Sequence, residues 1–130
     1  MAKTLYPDGT EVARFYVRAI RSGPMVFVAG TTSLDAKGRV RGRTAAEQTT
    51  ITVRKIEAAL KKAGCRLSDL CQATIYVTDI RDMAEVSKAL GKALKGSVVT
   101  ATLVAVSALA VPGLLVEIET MGVVERRAGL

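Results

Sequence analysis

Histidine is absent from this 130-residue chain, and so is tryptophan. Without histidine no Ser-His-Asp or Cys-His nucleophile system can be built, and no His-containing zinc site either. Acid–base chemistry falls to Glu, Asp, Lys, Tyr or bound water. Cysteine occurs twice, as Cys65 and Cys71. Their spacing fits no zinc or redox motif, so they read as small packed side chains in a reducing compartment. Aromatics are scarce, with three tyrosines and two phenylalanines, whereas single-stranded nucleic acid is usually held on aromatic platforms. The net charge of +7 is scattered along the chain and reads as a solvated surface, so nucleic acid is not an expected partner. No apolar run reaches the roughly 18 residues of a membrane span, and the N-terminus lacks the apolar core of a signal peptide. The expectation is a cytoplasmic protein without a membrane partner.

What is present suits one compact domain over residues 1–130, since 49% of the residues are hydrophobic. Phe15–Arg21 alternates, Ser22-Gly23-Pro24 is a turn signal, and Met25–Ala29 is a short apolar run, which together predict a hairpin. Gly30–Arg43 reads as a polar loop that matches neither a P-loop nor a dinucleotide fingerprint. Thr44-Ala-Ala-Glu47 has capping-box spacing and opens a helix with Thr49, Val53, Ile56, Leu60 and Ala63 on one stripe, closed by Gly64. Cys71–Thr78 alternates as a strand. Asp82 and Glu85 open a second helix with Met83, Val86, Leu90 and Leu94 as its apolar stripe, ending at Lys95-Gly96-Ser97. Thr100–Ser107 and Leu114–Val124 are the last two strands. Two amphipathic helices on one face of a mixed sheet give a two-layer α+β domain. The other sheet face still needs cover, and a symmetric homo-oligomer would supply it.

The segment Leu114–Thr120, Leu-Leu-Val-Glu-Ile-Glu-Thr, carries the chemical question. Alternation puts Glu117 and Glu119 on one face and Val116, Ile118 and Thr120 on the other. An unpaired buried carboxylate is costly. Either that face is wet or one of the acids has a task. Asp79 and Asp82 read as strand-end and helix-cap residues rather than a metal pair.

Five segments in this order resemble the RidA/YjgF reactive intermediate deaminase family over nearly the whole chain. They are Tyr16-Val-Arg-Ala-Ile20, Met25-Val-Phe-Val-Ala-Gly-Thr-Thr32, Ile56-Glu-Ala-Ala-Leu60 with Ala63-Gly64, Thr74-Ile-Tyr-Val-Thr-Asp-Ile80, and Leu115-Val-Glu-Ile-Glu119. The resemblance implies a chorismate-mutase-like β-β-α-β-α-β-β domain and a homotrimer with a central β-barrel and three clefts between subunits. It also implies cofactor-independent hydrolysis of 2-imino and 2-enamino acids to ammonia and a 2-keto acid. By the same resemblance Glu117 holds or activates the attacking water. Tyr16, Gly30, Thr31, Ser87, Ala101, Thr102 and Leu103 line the substrate pocket.

One position departs from the family pattern. Where an arginine clamps the substrate carboxylate, this chain has Ala101, and no arginine lies between Arg81 and Arg126. Losing such a charged hydrogen bond, worth about 1.5–3 kcal/mol, predicts weak activity on ordinary 2-imino acids. Arg18, two residues from Tyr16 and read as sharing its strand face, is the candidate replacement cation. A non-catalytic small-molecule-binding trimer and an RNA-binding or RNA-cleaving protein are the alternative readings.

Overall fold

The computed structural model describes residues 2–125. Its chain order is β1 (Lys3–Tyr6), β2 (Ala19–Ser22), β3 (Met25–Thr31), α1 (Ala45–Lys62), β4 (Leu70–Val77), α2 (Met83–Ala93), β5 (Thr100–Ala105) and β6 (Val116–Val123). The strands form one six-stranded sheet in the order β1-β2-β3-β6-β4-β5. Every neighbouring pair is antiparallel except β4 and β5. That parallel pair is the one joined through a helix, α2, as parallel strands require. Among the described residues no helix is long and apolar enough to cross a membrane.

Side-chain alternation decides which sheet face the helices cover. Val26 and Val28 of β3, Ala73, Ile75 and Val77 of β4, and Val116 and Ile118 of β6 are buried in one core with Val53, Ile56 and Leu60 of α1. The α1 stripe read from sequence is buried throughout, Thr49 and Ala63 included. Thr44 caps that helix by accepting a hydrogen bond from the Glu47 N–H. The Glu47 carboxylate reaches one residue further back, to the Arg43 N–H at 2.9 Å. The α2 stripe needs one correction. Val86, Leu90 and Leu94 are buried, but Met83, the first residue of the helix, is 49% exposed. Asp82 precedes α2 without a side-chain capping bond, whereas Asp79 caps the short 3-10 turn before it and pairs with Arg81 at 2.7 Å.

The expected hairpin is also shorter at its start. β2 begins only at Ala19, so Phe15–Arg18 is loop, and the alternation there reflects how a loop packs. An additional strand, β1, covers the free edge of β2. Its four residues are too few for a periodic signal.

Gln48 is a structural polar residue that helical periodicity does not reveal. It is 1% exposed. Its Nε2 donates to the carbonyls of Gly42 (3.2 Å) and Gly113 (3.0 Å), and its Oε1 accepts from the Leu115 N–H at 2.8 Å. It thereby ties the loop before α1 to the chain entering β6. Gln48→Leu strands these backbone groups, each unpaired buried group costing about 1–3 kcal/mol. A total loss of about 3 kcal/mol is expected, read as a lower urea midpoint at unchanged slope.

Candidate functional site

β6 runs between β3 and β4, so its acidic face is flanked on both sides. Tyr76 of β4 lies opposite Glu117, and Thr74 opposite Glu119. The two acids meet different surroundings. Glu119 is exposed and accepts a 2.7 Å hydrogen bond from the Tyr76 hydroxyl, and this bond raises the pKa of the tyrosine. Glu117 is half-buried, and among the described residues its carboxylate has no hydrogen-bond donor. Burial pushes its pKa above the ordinary 4.5, and the Glu119 charge adds to the rise while Arg18 opposes it. A desolvated carboxyl without a donor can exchange a proton with whatever enters beside it.

Gly30 makes room for that carboxyl. A Cβ built on Gly30 would lie 2.5 Å from Glu117 Oε2 and 3.1 Å from its Cδ. Only a residue without a side chain lets the acid rest against β3. Gly30→Ala is expected to fold, because the clashing atoms are the far end of a flexible side chain, and to push the carboxylate aside by about 1 Å. Were this carboxyl to act on a substrate, a displacement of that size would cost about 100-fold in rate. Turnover, with a melting curve as control, checks it.

Arg18 is not a surface residue, and it does not share a strand face with Tyr16, since both precede β2. It is 3% exposed. Its Nη1 donates to the Gly30 carbonyl (2.8 Å) and Thr31 Oγ1 (3.1 Å), its Nη2 to Thr10 Oγ1 (3.0 Å), and its Nε to Asp8 Oδ2 (3.2 Å). The guanidinium also lies 5.8 Å from the centroid of the Tyr16 ring. Four hydrogen bonds use most of the five donors a guanidinium carries. Arg18 therefore locks the N-terminal loop onto the end of β3, and its charge reaches Glu117 from behind Gly30. Glu11 completes the lock by accepting from the backbone N–H groups of Asp8 (2.9 Å), Gly9 (3.0 Å) and Arg18 (2.8 Å). Thr31 is the buried last residue of β3 rather than a loop residue, and its hydroxyl donates to the Ala29 carbonyl at 2.7 Å.

Arg18, Gly30 and Thr31 thus gather on the β3 side of Glu117, and Tyr16 reaches this group through the Arg18 guanidinium. The remaining candidates do not join them within one chain. Ser87 is exposed on α2, and Ala101 and Thr102 are exposed on the edge strand β5, with Leu103 half-buried. β4 separates β5 from β6. Ala101 pairs with Ala73 and Leu103 with Ile75, so both sit on the helix-covered face, whereas Thr102 pairs with Thr74 on the face of Glu119. Periodicity could not have found Glu11 or Asp8. They act from a loop, and the turn-rich stretch Pro7-Asp-Gly-Thr10 is the only trace they leave.

Comparison with known proteins agrees with this fold. The family model described as Endoribonuclease L-PSP matches residues 9–124. The crystal structure of a YjgF/YER057c/UK114 family member from Mycobacterium tuberculosis superposes with a TM-score of 0.83 at 43% identity, covering 95% of this chain and 100% of that one. A Rid family protein from Yersinia pestis gives 0.85 at 26% identity, again over 95% and 100%. Among curated sequences, a RutC family protein from Pyrococcus abyssi is 34% identical over 74 residues, spanning 56% of this chain and 58% of that protein. The 2-iminobutanoate/2-iminopropanoate deaminase of Salmonella typhimurium is 26% identical over 88 residues, 67% of this chain and 69% of the enzyme. With the model match running from the N-terminal loop to the end of β6, the chain belongs to the Endoribonuclease L-PSP family, the RidA/YjgF group of proteins.

Proposed function

We propose that this protein is a cofactor-independent hydrolase that deaminates an imine, an enamine or a related compound, with Glu117 as the acid–base residue. The observation carrying this reading is the half-buried Glu117 carboxyl, raised in pKa, resting on Gly30 without a hydrogen-bond donor among the described residues. In the protonated form it donates to the substrate nitrogen. As carboxylate it takes a proton from a water that adds to the C=N carbon. Glu117, protonated again, gives this proton to the carbinolamine nitrogen and takes up the hydroxyl proton as the C–N bond breaks, so that ammonia leaves and a carbonyl remains. Glu117 ends in the state in which it began.

The pocket is completed between copies of the chain in a homotrimer. Ser87, Ala101, Thr102 and Leu103 stand apart from Glu117 in one chain, and a neighbour's copy of them would close the cleft. An open sheet face with Phe27 and Val104 partly exposed supports that assembly. The substrate's terminus is uncharged. Ala101 offers only a methyl group, and Arg18 is committed to Asp8, Thr10, Gly30 and Thr31.

Ammonia release is the test, comparing freshly generated 2-iminopropanoate with the imine of its methyl ester, for the wild-type protein and Glu117→Gln. Faster turnover of the ester, lost in Glu117→Gln, is the expected result. Robust turnover of 2-iminopropanoate would overturn the substrate assignment. Activity retained in Glu117→Gln would overturn the mechanism. The family description favours one other reading, RNA binding, and the +7 charge is compatible with it. Steeply salt-dependent RNA affinity would be its mark.

A further inference from the structure

A second polar cluster lies apart from Glu117, where the chain leaving β3 crosses α1. Lys55 of α1 donates from Nζ to the carbonyls of Thr32 (2.8 Å) and Leu34 (2.7 Å). An ammonium has three donors, so one remains. Between Lys55, the N-terminal loop and α1 is a cavity of about 330 Å³, within the size range of small-molecule sites. Its apolar lining includes Leu34, Ile51 and Ala58. Ser33, wholly buried in its wall, has a hydroxyl without a partner among the described residues.

The charges around this cavity do not cancel. Its two acids are already engaged. Asp8 is held by Arg18 at 3.2 Å and by the Thr10 hydroxyl at 2.7 Å, and Asp35 by Arg39 at 3.0 Å and Arg41 at 3.8 Å. Lys62 also lines the cavity and pairs with no acid among the described residues. Burial and the Arg18 charge lower the pKa of Lys55, while Asp8, Asp35 and Glu11 act the other way. A half-buried ammonium under repulsion from a cation gains from a nearby anion, and an ionised partner makes the stronger hydrogen bond. The apolar lining gives inorganic anions no advantage over organic ones.

We propose that this cavity is a second small-molecule site, independent of the Glu117 cleft, for a small monocarboxylate with an apolar body. Its carboxylate meets Lys55 and Lys62, and its chain lies along Leu34, Ile51 and Ala58.

Isothermal titration calorimetry of the full chain with hexanoate tests this, with hexylamine as the control of opposite charge. One saturable hexanoate site per chain is expected, with no binding of hexylamine. Ala58→Trp fills the cavity from an exposed helix position and should abolish binding. Lys55→Met should weaken it at least tenfold, the loss of one charged hydrogen bond. Should Lys55→Met fail to fold, because two carbonyls lose their donor, Ala58→Trp still decides. Glu117→Gln should bind as the wild type does, which keeps this site distinct from the proposed active cleft. Absence of saturation in the millimolar range, binding unchanged in Ala58→Trp, equal binding of hexylamine, or binding lost in Glu117→Gln would each overturn the proposal.

Discussion

Glu117→Gln is expected to lower the rate of imine hydrolysis by about 100- to 10,000-fold, the usual contribution of a positioned acid–base group. The amide keeps the shape that rests on Gly30 but can neither give nor take the proton. The same variant should be more stable than the wild type at neutral pH. The sign follows from the direction of the shift. The folded-state pKa of Glu117 lies above 4.5 because burial disfavours its charged form. Around and above pH 4.5 the folded protein therefore holds this proton more tightly than the unfolded chain does. Stability falls as pH rises from about 4.5 through the folded pKa, and the penalty is complete above it. Glutamine has no such penalty. The difference in melting temperature between Glu117→Gln and the wild type should thus widen from pH 4 to pH 7. A difference independent of pH would show that Glu117 is not desolvated. A carboxylate that costs stability and contributes to turnover is the pattern of a working site.

Arg18→Met carries the largest expected effect on stability, about 3–5 kcal/mol, the range for breaking a buried ion pair from one side. Four acceptors lose their donor at once: Asp8 Oδ2, Thr10 Oγ1, Thr31 Oγ1 and the Gly30 carbonyl. Asp8 feels the change most. Burial pushes its pKa up, but the Thr10 hydrogen bonds and the Arg18 and Lys55 charges hold it below 3.8. Without the guanidinium it is a poorly solvated anion. Lysine does not replace arginine here, because a single ammonium cannot fork toward partners on both the N-terminal loop and β3. Against a typical total of about 5–15 kcal/mol, this loss is large. Urea unfolding of Arg18→Met and Arg18→Lys against the wild type measures it. A loss under about 1 kcal/mol would place Arg18 among ordinary surface pairs. The variant should also raise the pKa of Glu117 further, since Arg18 is the cation opposing that rise.

The sequence carried the interior of the fold and little of its edges. α1, β4 and β6 were legible because each repeats an apolar residue with one clean period over many residues, and a period survives whatever packs against it. Thr44 and Gly64 marked the ends of α1 through capping chemistry that is local by nature. β1 and the start of β2 were not legible. Phe15, 90% exposed, alternates with its neighbours as a strand residue would, and only the tertiary contacts of Arg18 reveal a loop. Glu117 stood out because an acid amid Val116 and Ile118 breaks an apolar pattern. The role of Arg18 could not be read in that way. Its four partners lie between Asp8 and Thr31, and no spacing rule connects an arginine to a distant carbonyl.

Arg18 gives residues 2–10 a standing that their mostly exposed positions conceal. Two of the groups gripping its guanidinium, Asp8 and Thr10, belong to the short loop that follows β1. A protease that nicks the backbone shortly after Thr10 would leave every core residue in place. It would still set free the anchor behind Gly30, so a clipped preparation should look folded by circular dichroism while its acidic cleft has lost its footing.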